Sequence, residues 1–323
     1  MGNQISKKRK RMKRGAVSIT DTSRSSFSDQ TKSSSQSDHY FNQSQYNAEQ
    51  LLELHYLFKH VFQRNLIAPV ENVLNVPGAQ CLDIGCGPTA TWLIDMAAEF
   101  PNANFTGIDI QEVNPVANPI SPPSALPGQL PSNCQFKRID VLLDIGLPLA
   151  SFDHIYQRFM FNVYRMDAFR QSKFLELVDL LKPGGYIELI EPDMIPRQVG
   201  PKYSRLASAV SDMITSNKKS LYHGPVIKQC LLDAGLEDVQ GDYISIPICW
   251  GGYVGKMLYE SIVCVVGQLG EVLWPCLELE GDYDEMIYNK FLDSAFDECV
   301  EYKTYVNFHW AYGRKSSMAN KES

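Results

Sequence analysis

The sequence lacks any long apolar run. No stretch of about 18 or more apolar residues occurs in the 323-residue chain, so a membrane-spanning helix is not expected. No secretory hydrophobic segment stands at the N-terminus, and no internal repeat is visible. With 44% apolar residues, the chain is nevertheless long enough to form one large core with an appendage.

Cysteine pairs at metal-ligand or redox spacing are also missing. The eight cysteines are scattered through apolar segments, and no two of them form Cys-x-x-Cys. A zinc knuckle and a thiol redox motif are therefore not expected, and neither is a metal site. Unpaired cysteines suit a reducing compartment, so the sequence predicts a cytoplasmic protein, with a nuclear one as the alternative.

Basic charge is scarce outside the N-terminal segment. The net charge is −7, but residues 1–45 carry nine Lys or Arg against three Asp, which leaves −13 on the remainder. An acidic body argues against a broad nucleic-acid surface, and no nucleic-acid partner is expected.

Residues 1–45 form a basic and Ser-rich tail with few aliphatic side chains, which predicts disorder; residues 316–323 are expected to be disordered too. Gly2 and Ser6 match the N-myristoylation pattern, and the basic run at 7–14 supplies a second membrane signal. The tail therefore predicts contact with an anionic membrane surface. A nuclear import signal and an unspecific charged tail are the alternatives.

Apolar runs alternate with helical periodicity over residues 46–315, which predicts a mostly parallel sheet with helices on both faces. The predicted strands are 79–84, 104–110, 135–141, 152–157, 186–191, 238–248 and 304–312. The predicted helices are 47–62, 89–100, 169–181, 202–215, 224–232, 254–269 and 284–301. The proline-rich stretch 111–133 is expected to be an irregular loop, and Lys182–Gly185 to end a helix and reverse the chain.

A strand, a glycine turn and a helix meet at residues 79–100. Gly85 and Gly87 follow the apolar strand, a geometry that lets the backbone approach a nucleotide-like ligand closely. Asp109 lies 22 residues after Gly87 at the end of the next strand, where it can accept from both hydroxyls of a ribose.

Two cofactor classes fit this turn. Gly85-x-Gly87-x-x-Ala90 also matches the dinucleotide fingerprint, so a nicotinamide dehydrogenase is the competing interpretation. Against it, Asp83 stands where a dinucleotide strand is normally apolar, Pro88 removes an amide, and Asp140 adds a third acid. Three carboxylates repel phosphates and attract a sulfonium or ammonium, which favours S-adenosylmethionine over NAD.

The segment Leu82–Gly87 resembles the first motif of class I S-adenosylmethionine-dependent methyltransferases, and Asp109, Asp140-Val141 and Leu181–Gly185 resemble its later motifs. The runs 151–159, 188–193 and 307–315 are similar, more narrowly, to fungal methyltransferases related to secondary-metabolism regulators. The resemblance covers about residues 47–315. One departure lies in the first helix, where Glu49-Gln50 replaces an acid-Arg pair common in relatives.

This resemblance implies a Rossmann-like α/β sandwich, residues 46–315, with a seven-stranded, mostly parallel sheet. The antiparallel seventh strand would lie between strands five and six, and residues 251–302 would form a helical lid insert between strands six and seven. S-adenosylmethionine would be the cofactor. At its methionine part, Asp83 would contact the ammonium, and Gly85 and Gly87 would form the turn beneath, with Cys86 between them. At its nucleoside, Asp109 would bind the ribose, Ile110 would flank the adenine, and Asp140 and Val141 would lie at the adenine edge. Gln157 would face the methyl group or its acceptor.

Methyl transfer by in-line displacement depends on positioning, so the sequence need not contain an obvious catalytic residue, and none is assigned. The possible bases near the site are His154, Tyr156, Glu191, Asp193, His223 and His309. The missing Asn/Asp-Pro-Pro-Tyr loop makes amide and adenine-amine acceptors less favoured. A small molecule or a protein side chain is the expected acceptor; the alternative function is a regulatory scaffold that retains the fold and acts through protein partners.

Overall fold

The computed structural model describes residues 48–113, 131–161, 163–164, 172–216 and 223–317, which contain one sheet with the strand order β3-β2-β1-β4-β5-β7-β6. The strands are β1 Gln80–Ile84, β2 Asn104–Asp109, β3 Cys134–Arg138, β4 Phe152–Arg158, β5 Leu181–Pro192, β6 Glu237–Pro247 and β7 Tyr305–Arg314. The predicted tail 1–45, most of the predicted loop 111–133 and nearly all of 316–323 lie outside the described residues.

The pairing of the strands confirms the predicted topology. β1 lies between β2 and β4, all parallel, and β5 continues this arrangement beyond β4. β7 is antiparallel to both of its neighbours, β5 and β6. The carboxyl ends of β1 to β6 therefore meet at one edge of the sheet, together with the amino end of β7. In open α/β sheets, ligands bind at this carboxyl edge.

Helices cover both faces of the sheet. They are α1 Ala48–Phe62, α2 Glu71–Leu74, α3 Thr91–Glu99, α4 Phe174–Leu180, α5 Pro201–Ser216, α6 His223–Asp233, α7 Tyr253–Gln268, α8 Gly270–Leu273 and α9 Glu285–Tyr302. The three helices α7 to α9 lie between β6 and β7 in the chain. Each predicted helix has a counterpart whose described ends lie within two residues of the prediction, although the predicted start at residue 169 lies outside the described residues. The four-residue helices α2 and α8 add to them.

Two apolar layers enclose the sheet. The layer on one face contains Leu57 of α1, Leu93 of α3 and residues of α5, α7, α8 and α9. Leu177 of α4 and Leu231 of α6 belong to the layer on the other, together with Leu82 of β1. Burying one such leucine contributes about 1.5–3 kcal/mol. β1 is buried on both faces after its first residue, Gln80, which explains why Asp83 is the one polar residue of Cys81–Ile84.

The predicted end of the helix before Lys182 is confirmed to within one residue, but the prediction that Lys182–Gly185 reverses the chain is wrong. α4 ends at Leu180, and the stretch forms the first, irregular part of β5, where the pairing with β4 shifts between Phe152 and His154. The Gly184 N–H donates to the Lys315 carbonyl at 2.9 Å, and the Lys315 N–H donates to the Gly185 carbonyl at 2.8 Å. Hydrogen bonds to the residue that follows β7 therefore hold this segment extended despite its proline and glycines.

None of the described helices is by itself long and apolar enough to cross a membrane; only α7 taken with Gly270–Cys276, a pair bent by 74°, passes that test of length and composition. All eight cysteines are free thiols.

Candidate functional site

The glycine turn follows β1 at the carboxyl edge. Gly85 and Gly87 have φ angles of +70° and +73°, which residues with a Cβ adopt only at a cost. The N–H groups of Gly85 and Cys86 donate to the Ile108 carbonyl at 2.9 and 3.1 Å, which ties the turn to β2. A Cβ on Gly87 would meet no atom within 4 Å, whereas one on Gly85 would lie 2.5 Å from Met160 Sδ. The turn is therefore packed at Gly85 and open at Gly87.

Asp109 ends β2 and holds the same turn. The Gly87 N–H donates to its Oδ2 at 2.9 Å, and the Gln111 N–H donates to its Oδ1 at 2.8 Å. Burial raises the pKa of this carboxyl, and the amide donors offset part of the rise. Since a carboxylate offers about four acceptor positions, Asp109 retains acceptors for the two hydroxyls of a ribose.

Asp83 is buried inside the end of β1, with 3% of its surface exposed. Burial raises its pKa to about 7, against the opposing effect of the nearby Arg158 charge. Within the ranges that the structure describes, its carboxylate accepts no hydrogen bond and has no cation within 4.0 Å. A buried carboxylate without partners is costly, so this group is suited to a cationic ligand.

Three predicted adenine contacts lie beside Asp109. Ile110 follows β2 directly and is 47% exposed, while Val141 is buried after β3. Asp140 Oδ1 accepts from the Leu142 N–H at 2.9 Å, and the Ile139 N–H donates to the Asp109 carbonyl at 2.8 Å. The ends of β2 and β3 are thereby joined. An exposed apolar side chain beside an acid is the chemistry that a flat heterocycle with an amino group requires.

Two of the predicted residues have side chains already engaged inside the protein. Cys86 packs against β2, where a Cβ on Gly107 would lie 2.9 Å from its Sγ. Gln157 is 1% exposed; it accepts from the Tyr164 hydroxyl at 3.3 Å and also hydrogen-bonds to Glu191. Cys86 therefore supports the turn and Gln157 the end of β4, and a direct role of Gln157 toward an acceptor stays a prediction.

Two of the possible bases are packed away from any open space. His154 is fully buried in mid-sheet, its Nδ1 lies 3.5 Å from Cys81 Sγ, and burial lowers its pKa to about 3. Tyr156 stacks face to face on Trp92, with ring centroids 3.9 Å apart. Neither is placed to take a proton from an acceptor. The side chain of His223 lies outside the described part of the chain.

Glu191 is buried at the carboxyl end of β5. Its two oxygens accept from the N–H groups of Met160 and Phe161 at 2.9 and 3.1 Å. Burial raises its pKa to about 8, although these donors and Gln157 act in the opposite direction. Glu191 is thus largely protonated at neutral pH and fixes the chain that follows β4.

Asp193 and His309 remain as polar groups at the carboxyl edge. Asp193 Oδ2 lies 2.6 Å from Arg197 Nη1 and 3.8 Å from His309 Nε2. Burial raises the pKa of Asp193, but His309, the Ile195 amide and Arg197 together hold it below its usual value. The imidazole therefore has a carboxylate beside it, at a distance longer than a hydrogen bond.

Sequence reasoning missed Arg158, the last residue of β4. It lies at the same edge as Asp83 and influences its charge. The rule that identified Asp109, a charged residue closing an apolar strand, applies equally to Arg158 and could have found it.

The arrangement suits a cationic nucleoside. Asp83 is buried without a partner, the space at Gly87 is open, and Asp109 keeps free acceptor positions. Across the described residues, no group of three or more His, Cys, Asp or Glu could hold a metal ion.

Known proteins resemble this chain in sequence. The family described as "Methyltransferase domain" matches residues 81–185. N-methyltransferase tcpN of Claviceps purpurea is 31% identical over 203 residues, which cover 60% of this chain and 67% of that protein. Secondary metabolism regulator laeA of Aspergillus niger is 32% identical over 187 residues, covering 53% of this chain and 44% of that protein.

Among solved structures, phosphoethanolamine N-methyltransferase 2 of Haemonchus contortus, in complex with S-adenosyl-L-methionine, aligns with a TM-score of 0.48 at 15% identity. The alignment covers 87% of this chain and 60% of that one.

Proposed function

We propose that this chain, which belongs to the class I S-adenosylmethionine-dependent methyltransferases, transfers the methyl group to a nitrogen atom of a small molecule. S-adenosylmethionine is the cofactor, and a methyl acceptor is its partner in the reaction. The proposal concerns the identity of that acceptor, the residues that hold the cofactor and the place where the protein works.

The acids and glycines at the carboxyl edge would hold the cofactor. Asp83 would take the ammonium, the turn at Gly85 and Gly87 the methionine backbone, and Asp109 the ribose. Asp140 would accept from the adenine amine. When bound, the cofactor supplies a methyl group on an activated sulfonium carbon, open to in-line displacement. The chain's own residues contribute binding, alignment and exclusion of water, which supply most of the acceleration in such a reaction.

The helices between β6 and β7 support a small acceptor. α7 is fastened to α1, where the Cys264 thiol donates to Gln50 Oε1 at 2.7 Å. Phe296 of α9 packs edge-on against Tyr259 of α7 and Tyr203 of α5, with centroids 4.9 and 5.6 Å apart. These helices thus form one packed unit beside the carboxyl edge. The insert leaves the sheet after β6 and returns before β7, so it begins and ends at the carboxyl edge. A packed helical unit anchored at this edge favours a compact substrate over an extended polypeptide, and this is the observation that carries the proposal.

Two further features favour nitrogen. The relative from Claviceps purpurea is named as an N-methyltransferase. An amine is protonated at neutral pH and must lose a proton before it attacks, so a base is useful at the site. His309, which lies at the carboxyl edge with the Asp193 carboxylate 3.8 Å from its Nε2, would be that base.

The test is a transfer assay with methyl-labelled S-adenosylmethionine and extract separated into small-molecule and protein fractions. The expected result is label in the small-molecule fraction, in products that withstand the alkaline treatment that cleaves methyl esters. Asp109→Ala, which removes the ribose acceptor, should abolish labelling, while the exposed-helix variant Asp284→Asn should label normally.

Other outcomes of this assay would overturn the proposal. Label only in the protein fraction would replace the small molecule by a protein acceptor. Alkali-labile label would replace nitrogen by a carboxylate oxygen. No label, with cofactor binding intact, would favour a regulatory scaffold, the role to which the similarity with laeA points.

We extend the proposal to the location of the protein. The pattern Gly2 to Ser6 with the basic run at 7–14 supports a cytoplasmic enzyme held at an anionic membrane surface, with nuclear import as the competing role of that run. Flotation with phosphatidylserine vesicles, after co-expression with an N-myristoyltransferase, tests it. Wild type should float with the vesicles and Gly2→Ala should not. Equal flotation of both would show that membrane binding does not depend on acylation of Gly2.

A further inference from the structure

Arg158 closes β4 inside a cluster of aromatic rings. Its guanidinium carbon lies 5.5 Å from the ring centroid of Phe58, 5.9 Å from that of Tyr156 and 5.2 Å from that of Phe159. Phe58 itself packs edge-on against Phe159 and Phe308, at 5.0 and 4.9 Å. Rings from α1, from β4 and from the residue after β4 thus surround one partly buried cation, and Phe308 of β7 packs behind them.

This cation has no ionic partner of its own. In the part of the chain that the structure describes, no carboxylate oxygen lies within 4.0 Å of the Arg158 guanidinium. Its charge nevertheless acts on nearby carboxyl groups, because it offsets part of the rise that burial causes in the pKa of Asp83 and of Glu188. A half-buried guanidinium with aromatic walls and no counter-ion is suited to a planar anion, above all a carboxylate, which it can bind with two parallel hydrogen bonds.

Asp83 and Arg158 complement each other across the sheet. Asp83 pairs in register with Tyr156, and Arg158 follows Tyr156 by two residues, so the Asp83 and Arg158 side chains point to the same face. Both lie at the carboxyl edge, and each lacks an ionic partner within 4.0 Å in the described ranges. Arg158 does hydrogen-bond to Tyr156, but this neutral group leaves its charge uncompensated. One carboxylate and one guanidinium on the same face, each without an ionic partner in the described ranges, match the two charges of a free α-amino acid group.

We infer that Arg158 binds the carboxylate of the methionine part of the cofactor, opposite Asp83, which takes the ammonium. The inference rests on the cofactor site proposed above and adds to it a residue for which the sequence assigned no role. In this arrangement the aromatic rings hold the guanidinium at the end of β4, so that the side chain loses little freedom on binding.

A purely structural role is the competing explanation. Arg158 could serve only to join α1 to the sheet through its contacts with the aromatic rings. Its replacement would then weaken folding and the binding of any ligand at the site to a similar degree. The carboxylate role instead predicts a loss that depends on whether the ligand has a carboxylate.

Calorimetric titration with S-adenosylmethionine and its decarboxylated analogue separates the two roles, because only the former has the carboxylate. Wild type is expected to bind S-adenosylmethionine more tightly by about tenfold or more, the range of a charge-assisted hydrogen bond. Arg158→Gln should lose about that factor toward S-adenosylmethionine and change less than about threefold toward the analogue, so that its preference disappears.

Two further variants separate loss of the carboxylate contact from a general loss of folding. Arg158→Lys retains a charge without the planar fork and should keep part of the preference. Arg205→Gln removes an arginine whose guanidinium lies 5.1 Å from the Phe291 ring, far along the chain in α5, and should bind both ligands as wild type does.

Three outcomes would overturn the inference. One is equal binding of both ligands by wild type, which requires no variant at all. The others are a parallel loss for both ligands in Arg158→Gln, or an unchanged preference in that variant. Failure of wild type to bind S-adenosylmethionine would instead overturn the cofactor site itself, so the two failures are distinguishable.

Discussion

The N–H of Gly87 donates to Oδ2 of Asp109 at 2.9 Å, so the glycine turn after β1 and the acid that ends β2 form one unit. A change at Asp109 therefore acts on the cofactor twice, through the lost ribose acceptor and through the loosened turn.

The first prediction concerns Asp109→Asn. An asparagine keeps one oxygen and presents an amide N–H₂ to the second backbone donor, so one of the two N–H groups loses its acceptor. Affinity for S-adenosylmethionine should fall by about tenfold or more, measured by calorimetry. Asp284→Asn is the control for the loss of a charge alone, because Asp284 accepts two backbone N–H groups at the start of α9 through Oδ1, the oxygen that asparagine retains. Unchanged affinity in Asp109→Asn would contradict the role of this acid.

The second prediction concerns pH and Asp83. Burial raises its pKa to about 7, and a cationic ligand favours the ionised form. Affinity for S-adenosylmethionine should therefore rise several-fold from about pH 6 to about pH 7.5, with release of a proton on binding. Above that range the α-amino group of the ligand, whose pKa is about 8, begins to lose its proton. Titrations in two buffers of different ionisation enthalpy measure the released proton.

Asp83→Asn supplies the control for that experiment. The variant should bind more weakly, with an affinity that is flat over the same pH range and without proton release. A rise with pH that persists in Asp83→Asn would assign the titration to another group.

How much of this site the sequence predicts follows from how local each feature is. Asp83, Gly87 and Asp109 are readable because strand, turn and terminal acid are close in sequence, and parallel strands place their carboxyl ends together. These two rules are sufficient to predict that the three residues lie close together in the folded protein. The antiparallel β7 came from the resemblance, since no local pattern states which strand it joins.

The remainder depends on contacts between distant parts of the chain. Gln157 reads as a free polar residue at a strand end until Tyr164 and Glu191 engage it. Phe58 reads as one more apolar position of α1, and only folding brings it to Arg158 and Phe308. Lys182–Gly185 reads as a break because proline and glycine oppose regular structure; its partner Lys315 is remote in sequence.

The third prediction concerns Glu191 and stability. Burial raises its pKa to about 8 from 4.5, so the folded protein retains a proton that the unfolded chain releases. The stability this group contributes is full below about pH 4.5 and is lost as pH rises to about 8, by up to about 1.4 kcal/mol per pH unit. Urea unfolding at a series of pH values measures it.

Glu191→Gln should flatten that dependence. The variant cannot ionise, but its N–H₂ faces one of the two backbone donors, so we expect it to be about 1–3 kcal/mol less stable than wild type at low pH. Because wild type loses about 1.4 kcal/mol per pH unit above about pH 4.5, the two stability curves should cross between about pH 5 and about pH 7, and the variant should be the more stable protein at pH 8. Glu298→Gln is the control, since Glu298 accepts the N–H groups of Lys202 and Tyr203. Parallel curves for wild type and Glu191→Gln would contradict the assignment.

The fourth prediction compares Gly85→Ala with Gly87→Ala. Both positions have positive φ, so each alanine should cost about 1–2 kcal/mol of backbone strain. Only at Gly85 would the new Cβ meet a neighbour, Met160 Sδ at 2.5 Å, and Met160 is buried. Gly85→Ala should therefore be less stable than Gly87→Ala by about a further 1–3 kcal/mol in urea unfolding.

Cofactor affinity should respond differently to the same pair. Apart from Gly87 and its two chain neighbours, no described residue has an atom within 4 Å of a Cβ at this position, so a methyl group there would enter the volume that the cofactor would occupy. Gly87→Ala should lose affinity for S-adenosylmethionine while retaining most of its stability. Loss of affinity without a matching loss of stability distinguishes a residue that approaches the ligand from one that only shapes the turn. If Gly87→Ala binds as wild type does, the cofactor does not pass over this glycine.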